Sequence, residues 1–310
     1  MEKRFVLWYL DLLGYNEMPK FLEKYLDAPS MVRLKNIGYF CGMDYASKDI
    51  YDFKDRISRY DHSLSVALIT WMLTNDEKAT LAGLFHDIST PCFSHVIDYM
   101  NKDYSKQEST EEKTEEIIMN DKYLLECLDK DNISVLDIID FKKYSVVDLD
   151  RPMMCVDRLD GVILTGYAWT KSLDMDDIRK IILSLDVVKN EYEQDEISLK
   201  DMSVADLILK NNELIDIYCH SKEDNYMMEL LAKITRRALN IGIISYDDIY
   251  ILDEEEIFGI FEESCDSKLL SLLDIFKNIK LDEITNIDIP NVKVRTLKPI
   301  VNGKRLKRYI

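Results

Sequence analysis

Glycine and proline are scarce in this sequence, with nine and six among 310 residues. Because these residues interrupt helices and form turns, their scarcity favours a mainly helical chain. The sequence also lacks an apolar run of the about 18 residues that a membrane helix needs. Its first residues turn acidic too early for a signal peptide. We therefore expect no membrane segment and a cytoplasmic location.

Closely spaced cysteine pairs are absent as well. The six cysteines form no Cys-x-x-Cys pair and are scattered along the chain as Cys41, Cys92, Cys127, Cys155, Cys219 and Cys265. This distribution favours reduced and mostly buried thiols over disulfides or a zinc cluster.

Basic residues are outnumbered by acidic residues. The chain has 40 Lys and Arg against 58 Asp and Glu, which gives a formal net charge of −18. A general nucleic-acid binder needs a basic face that releases phosphate counterions, so we expect no general nucleic-acid binding. A small anionic nucleotide or phosphate ester can still bind, because a divalent metal and a few arginines set the local field.

Apolar residues recur at intervals of three and four along most of the chain, which is typical of amphipathic helices. The clearest segments are 62–74, 111–128, 152–168, 176–185, 203–219, 224–241, 247–263 and 267–278. No linker rich in glycine, proline or serine divides them. We therefore predict an all-α fold, with one helical core over residues 1–285.

The last stretch, residues 286–310, has a different pattern. Apolar and polar residues alternate around Asn302-Gly303, a dipeptide typical of hairpin turns. The stretch is basic, with Lys293, Arg295, Lys298, Lys304, Arg305, Lys307 and Arg308. We predict a small C-terminal β-ribbon packed on the same domain. Its charge fits an edge strand that resists aggregation, and the alternative is a nucleotide-binding or subunit-contact surface.

Histidine is rare, and two of the four histidines stand beside apolar runs. His62 lies in RYDHSLSVALITW, His86 and Asp87 lie in LFHDISTPCFSH, and Asp157 lies in CVDRLDGVIL. Two neutral imidazoles and two carboxylates are a plausible ligand set for one divalent metal ion, which enables water to attack phosphate esters near neutral pH. The alternative is a pair of core histidines hydrogen-bonded to backbone carbonyls.

The sequence around the adjacent histidine and aspartate predicts a helix end. Apolar spacing favours a helix over residues 76–87, and Pro91 disfavours helical geometry directly before it. We expect a second helix, with Pro91 in its first turn, to run through Asp98. Two adjacent side chains can share one metal more easily at a helix end than in the middle of a helix.

These residues and their neighbours resemble the HD-domain metal-dependent phosphohydrolases, in particular the deoxynucleoside triphosphate triphosphohydrolase branch. The motifs that carry the likeness are, in order, MVRLKNI at 31–37, RYDHSL at 59–64, HDI at 86–88, FSH at 93–95 and DRLD at 157–160. The resemblance implies an HD-domain helical bundle and hydrolysis of a nucleotide or related phosphate ester. Related enzymes are often oligomers, so we also expect a homo-oligomer.

The resemblance also implies roles for individual residues. It implies that one divalent ion binds within residues 59–160, with His62, His86, Asp87 and Asp157 as its ligands. Mn, Mg, Fe, Ni and Zn are the candidate metals. Arg59 and Arg158 become phosphate contacts, and His95 becomes a residue that assists the reaction beside the phosphates. Asp160, three residues after Asp157, would share its helical face and could hold a ligand histidine.

Two of these roles have simple structural alternatives. Arg59 could form a surface salt bridge with Asp55 or Asp61. His95 could be a helix-face histidine that pairs with Asp98.

The sequence departs from the triphosphohydrolase pattern after the histidine-aspartate pair and at two other positions. Ser89, Thr90 and Pro91 replace the family's Gly-His-Gly, and a threonine has no proton to exchange near pH 7. Gly161 stands where the family commonly has an aromatic residue, and Gln107 stands near a position often held by histidine. Two alternatives to triphosphate hydrolysis therefore stay open: a catalytically weakened nucleotide-binding regulatory protein and a cyclic-nucleotide phosphodiesterase.

Overall fold

The computed structural model describes residues 5–104, 110, 112–285, 290 and 292–307, and within them the chain is mainly helical. The helices up to residue 130 are α1 (Phe5–Leu12), α2 (Lys20–Glu23), α3 (Pro29–Arg33), α4 (Arg59–Thr74), α5 (Glu77–Phe85), α6 (Val96–Asn101), α7 (Thr114–Asn120) and α8 (Lys122–Lys130). Those that follow are α9 (Val135–Ile139), α10 (Val156–Ala168), α11 (Met175–Leu183), α12 (Met202–Cys219), α13 (Lys222–Asn240), α14 (Asp248–Ile251), α15 (Glu254–Glu262) and α16 (Ser267–Asn278). Among the described residues, no helix is long and apolar enough to cross a membrane.

Helix α4 is central to the fold. It begins in a capping box, in which Ser58 and Asp61 satisfy each other's backbone N–H groups. It ends before Asn75, which adopts a left-handed conformation. Most of its side chains are buried, because α1, α5 and α10 pack against it. Most of the buried apolar side chains of the described residues belong to one continuous core.

Two of the predicted helices are each divided by an aspartate. The segment 111–128 contains α7 and α8, because the Asp121 carboxylate accepts a backbone N–H at the start of α8. The segment 247–263 contains α14 and α15, because Asp253 and Glu256 form a capping box at the start of α15. Apolar periodicity continues across both breaks, so periodicity alone does not reveal them.

A small mixed sheet corrects the all-α prediction. Within the described residues its strands are β1 (Leu185–Lys189), β2 (Asp195–Leu199), β3 (Ile300–Val301) and β4 (Lys304–Arg305), in that spatial order. The pairs β1–β2 and β3–β4 are antiparallel, and β2 pairs with β3 in parallel. The sequence analysis missed the β1–β2 hairpin because its strands are short and rich in charged residues. Their burial depends on a partner strand about a hundred residues later.

The predicted C-terminal ribbon is present as β3 and β4. Its turn is Asn302-Gly303, with φ angles of 48° and 72°, as this dipeptide predicts. The ribbon is shorter than expected, because residues 292–299 form no regular strand. Residues 286–289, 291 and 308–310, which include Arg308, lie outside the described residues.

Arg305 ties the C-terminal ribbon to the β1–β2 hairpin, and Glu196 of that hairpin contacts the helical body. Its guanidinium lies 2.7 Å from Glu196, which is fully buried, and 2.6 Å from Glu191. Glu196 also accepts the backbone N–H of Met154 at 3.1 Å. Because Met154 lies two residues before α10, this ion pair fixes the chain where it enters the helix that carries Asp157.

Candidate metal centre

Three elements bring four side chains together. His62 lies on α4, His86 and Asp87 follow the end of α5, and Asp157 lies in the first turn of α10. His62 Nε2 lies 3.0 Å from Asp157 Oδ1 and 3.9 Å from Asp87 Oδ2. His86 Nε2 lies 3.5 Å and 3.8 Å from the same two oxygens. The four residues that the sequence singled out as metal ligands therefore converge on one point.

The adjacent histidine and aspartate lie just past the end of α5, as their sequence context predicts. The expectation for the next helix is wrong, because α6 begins only at Val96 and Pro91 is not in its first turn. Phe93 and Ser94 have φ angles of 65° and 46°, a left-handed conformation that interrupts helical geometry. Phe93 is buried in the core, which stabilises this segment in its non-helical path.

Both imidazoles present Nε2 to the point of convergence. His62 donates from Nδ1 to Asp160 at 2.7 Å, and His86 donates from Nδ1 to the Gly83 carbonyl at 2.7 Å. Because each Nδ1 donates, Nε2 is the nitrogen of each ring that can bind a metal ion once it has lost its proton. The core-histidine alternative accounts for the Nδ1 contact of His86 but not for its Nε2, which faces carboxylates.

The donor set fits a divalent metal ion. Among the described residues, the buried His86 Nε2 has no hydrogen-bond partner. A buried polar atom in this state is costly unless a ligand satisfies it. His62, His86 and Asp87 offer ligand atoms within 4.8 Å of one another, and Asp157 lies beside them. Imidazole nitrogens combined with carboxylate oxygens suit Mn, Mg, Fe, Ni or Zn and do not select one of them.

Electrostatics also favour a cation at this point. Burial opposes a charge on His62, but hydrogen bonds with Asp157 and Asp160 outweigh it and raise the pKa of His62 to about 10. Burial likewise opposes a charge on Asp87, but the Arg59 guanidinium holds the pKa of that carboxyl well below its usual range. The pKa of Asp157 is lowered too, because the two histidines outweigh its burial. Metal binding here therefore has to displace protons.

Asp160 lies behind this centre. Its side chain is fully buried and accepts hydrogen bonds of 2.7 Å from His62 Nδ1, from the Tyr9 hydroxyl and from the Ser65 hydroxyl. From its spacing to Asp157, Asp160 is expected to hold a ligand histidine and so to assist catalysis. The structure shows that contact with His62, which makes Asp160 a positioning residue.

Arg59 reaches the centre through Asp87. Its Nη1 lies 2.8 Å from Asp87 Oδ2, and its Nε donates to Ser94 Oγ at 3.1 Å. The guanidinium also lies 4.8 Å from the centroid of the Tyr39 ring and lines the adjoining cavity. Arg59 therefore orients one of the candidate ligands, and its contact with a phosphate stays a prediction.

Arg158 is engaged by the loop that precedes α10. Its Nη2 donates to the Leu149 carbonyl at 2.7 Å, and its Nη1 donates to the Met153 carbonyl. The Asp148 carboxylate lies 3.8 Å away. Arg158 lines the cavity, but its terminal nitrogens hold residues 149–153 in place. Its predicted phosphate contact stays a prediction.

His95 lies in the same cavity, with its side chain about one-third exposed at 33%. Its Nδ1 lies 2.9 Å from Oδ2 of Asp98, whose side chain is fully buried. The pairing that the sequence offered as an alternative to a catalytic role is therefore present. It leaves His95 in the cavity, and with Nδ1 engaged, Nε2 is the nitrogen free to exchange a proton.

The centre opens into a cavity of about 560 Å³. One part of its wall is aromatic and consists of Tyr39, Phe40, Tyr51, Phe53 and Trp169. The rings of Phe40 and Phe53 stack with centroids 4.3 Å apart. A cavity of this volume is typical of small-molecule sites. The aromatic residues of this wall could not be recognised from the sequence, because no motif links them.

The positions that depart from the triphosphohydrolase pattern have defined surroundings. Thr90 is 1% exposed, and its hydroxyl has no hydrogen-bond partner within the part of the chain that the structure describes. A Cβ atom on Gly161 would lie 2.8 Å from the Tyr39 hydroxyl, so the glycine makes room for this tyrosine. Gln107 lies outside the described residues.

The fold and the site define a mainly helical protein with a candidate divalent-metal centre. Comparison with known families agrees, because residues 59–162 match the HD domain. The matched segment contains all four candidate ligands, and the HD domain implies divalent metal binding.

Two similar proteins extend the likeness beyond this segment. "Uncharacterized protein YdhJ" of Bacillus subtilis is 24% identical over 263 residues, which cover 84% of this chain and 77% of that protein. "Metal-dependent phosphohydrolase cns2" of Cordyceps militaris is 21% identical over 256 residues, which cover 79% of this chain and 71% of that protein. Both likenesses therefore extend from the HD-domain segment over most of this chain.

Proposed function

We propose that the protein uses one divalent metal ion to hydrolyse a nucleotide or a related phosphate ester. The observation that carries the proposal is the buried, unpartnered Nε2 of His86, which faces the same two carboxylates as His62 Nε2. His62, His86, Asp87 and Asp157 would hold the ion. A divalent ion bound there supplies polarisation of a phosphate oxygen and a water whose pKa is lowered to about 7.

The chain's own residues orient these groups and move a proton. Asp160 fixes the ring of His62, and Arg59 fixes the carboxylate of Asp87. The positive charge of Arg59 also offsets negative charge that develops on the phosphoryl oxygens. His95, held through Nδ1 by a buried aspartate, protonates the leaving oxygen from Nε2.

The aromatic wall supports a substrate with a flat ring, such as a nucleotide base. Trp169 lies 6.3 Å from both Phe40 and Phe53, measured between ring centroids. Aromatic faces of this kind stack with bases without selecting one of them. The resemblance in motif order makes deoxynucleoside triphosphates one candidate substrate, and cyclic nucleotides are another because they can use the same ligand set.

Thr90 favours a second candidate function, a nucleotide-binding regulatory protein with little or no turnover. It replaces a histidine that the triphosphohydrolases use near the scissile phosphate, and it is buried. Since a threonine exchanges no proton near pH 7, His95 would have to act alone.

Product release from nucleoside tri-, di- and monophosphates and from cyclic nucleotides, with added Mn²⁺, tests the proposal. The matched variants are His86→Ala and His220→Ala, because His220 bonds the Asp216 carbonyl and does not line the cavity. Turnover by the wild type and by His220→Ala, but not by His86→Ala, supports hydrolysis at this centre. Equal turnover by His86→Ala contradicts it, and tight nucleotide binding without turnover favours the regulatory protein.

A further inference from the structure

Besides Arg59, three arginines from separate segments line the cavity. Arg151 lies in the loop before α10, Arg158 lies on α10, and Arg295 lies in the irregular segment 292–299. The chain has a net charge of −18, so an arginine has many carboxylates available as partners. In so acidic a chain, several guanidinium side chains around one cavity are therefore a distinguishing feature.

Arg151 and Arg295 are not neutralised by ion pairs. Among the described residues, no carboxylate oxygen lies within 4.0 Å of a nitrogen of either guanidinium. Arg151 Nη1 donates to the Thr296 carbonyl at 3.4 Å, and Arg295 Nη1 donates to the Lys293 carbonyl at 3.2 Å. Burial, followed by the charges of Arg158 and Arg295, lowers the pKa of Arg151 to about 10. Burial of the Arg151 guanidinium beside two other cations is unfavourable unless an anion compensates it.

Both arginines stand on fixed backbone. Arg158 holds the carbonyls of the loop on either side of Arg151. The backbone N–H of Arg295 donates to Asp216 at 2.7 Å, and the Arg295 carbonyl accepts from the Asn212 side chain. Because the backbones are held, the two guanidiniums are presented to the cavity with little further loss of entropy on binding.

The two arginines belong to neighbouring parts of the cavity wall. Arg151 Nη1 reaches the carbonyl of Thr296, the residue after Arg295. Cys219 on α12 and Asp224 on α13 line the same cavity. Burial opposes the charge of Arg295, but neighbouring groups, chiefly Cys219 and Asp224, outweigh it and raise the pKa of Arg295. Neither α12 nor α13 carries any of the four candidate ligands.

We propose that Arg151 and Arg295 form a binding site for a second anionic group of the substrate, a phosphate or a carboxylate that the reaction leaves intact. The inference rests on the proposed phosphohydrolase function, because the metal centre takes the phosphate that reacts. Forked guanidinium N–H groups match the paired oxygens of either anion. The preferred substrate therefore carries two separate negative groups.

Calorimetric titration of the Mn²⁺-loaded protein with inorganic phosphate tests this site without turnover. The wild type binds two phosphates per chain, one at each site. Arg151→Gln and Arg295→Gln each weaken one of the two by at least about tenfold, because charge-assisted hydrogen bonds are lost. The exposed Arg179→Gln, as the matched control, keeps both sites. Two-site binding that is unchanged in both cavity variants, or one site in the wild type, overturns the inference.

Matched substrate pairs then identify the second anion. One pair is AMP and adenosine 3′,5′-bisphosphate, and the other is phenyl phosphate and 4-carboxyphenyl phosphate. For the member with two anionic groups in one pair we expect a kcat/KM at least about tenfold higher than for its partner, and Arg295→Gln lowers this ratio towards one. A preference in the first pair indicates phosphate, and a preference in the second indicates carboxylate.

The failure of this inference is distinguishable from the failure of the proposed function. Turnover of the substrates with one anionic group, without a preference in either pair, overturns the anion site and leaves the phosphohydrolase standing. Absence of all turnover, with a phosphate site that is still weakened by Arg151→Gln and Arg295→Gln, supports the anion site and overturns the phosphohydrolase.

Discussion

His62 and Asp160 are joined by a hydrogen bond of 2.7 Å between Nδ1 and Oδ2. Asp160 lies on α10 one turn after Asp157, and its side chain is fully buried. One helix therefore supplies both a candidate metal ligand and the carboxylate that orients another ligand. This contact determines that Nε2 of His62 is the nitrogen that faces the centre.

Asp160→Asn is expected to weaken Mn²⁺ binding by about 10- to 100-fold, because loss of a carboxylate behind a ligand histidine has effects of this size. The amide keeps the shape of the side chain, so the fold is retained. Calorimetric titration with Mn²⁺ measures the change. Asp121→Asn, which alters a buried aspartate at the start of α8, is the control. Equal affinities in the wild type and Asp160→Asn would show that the contact does not serve the metal.

His95→Gln is expected to lower kcat by about 10²- to 10⁴-fold, because general acid catalysis contributes this much. Mn²⁺ affinity should stay near that of the wild type, since His95 is not among the candidate ligands. Steady-state kinetics on the best substrate of the panel, with metal titration alongside, separate the two effects. A wild-type kcat in His95→Gln would exclude the ring as the proton donor.

Glu254 predicts a pH dependence of stability. It is fully buried, and burial followed by the charge of Asp44 raises its pKa from 4.5 to about 8. The folded state then keeps a proton that the unfolded chain releases, so the contribution of Glu254 to stability is fully present below pH 4.5 and is lost as pH rises to about 8.

Glu254→Gln should remove this decline, because a glutamine has no proton to release. Urea unfolding at pH 5 and pH 8 measures it. We expect the wild type to lose roughly 3 kcal/mol more than the variant between the two pH values. The same loss in both proteins would mean that Glu254 is already ionised in the folded state at pH 5.

Arg305→Met should destabilise the protein by about 3–5 kcal/mol, because it leaves the buried Glu196 without its cation. Lys304→Met, at the exposed neighbouring position, should stay within about 0.5 kcal/mol of the wild type. Urea unfolding of both variants provides the comparison. A loss below about 1 kcal/mol for Arg305→Met would indicate that the ion pair does not hold the ribbon to the β1–β2 hairpin.

The candidate ligands could be found from sequence because each has a local signal. His62 and His86 are polar residues within apolar helical runs, and a proline shortly after His86 marks a helix end. Asp160 could be found from its spacing to Asp157 on one helix. Such signals depend only on residues a few helical turns away in the sequence, so they can be recognised without knowledge of the tertiary structure.

Other features could not be found because they depend on distant parts of the chain. Strand β2 is stabilised by β3, about a hundred residues later. The left-handed conformation of Phe93 is imposed by core packing at a residue that is not glycine. Arg151 and Arg295 share the cavity only through the folded path of the chain, and nothing in their own neighbourhoods distinguishes them from surface arginines.

The most direct test of the central claim is Mn²⁺ binding to the wild type and to His86→Ala, measured by calorimetry with thermal unfolding alongside. We expect the wild type to bind one ion per chain. At a free concentration of 100 times Kd, binding adds about 2.7 kcal/mol and raises Tm by about 4 °C for a chain of this length. His86→Ala should show neither the binding nor the shift. Equal affinity and an equal shift in His86→Ala would contradict the assignment of this metal centre.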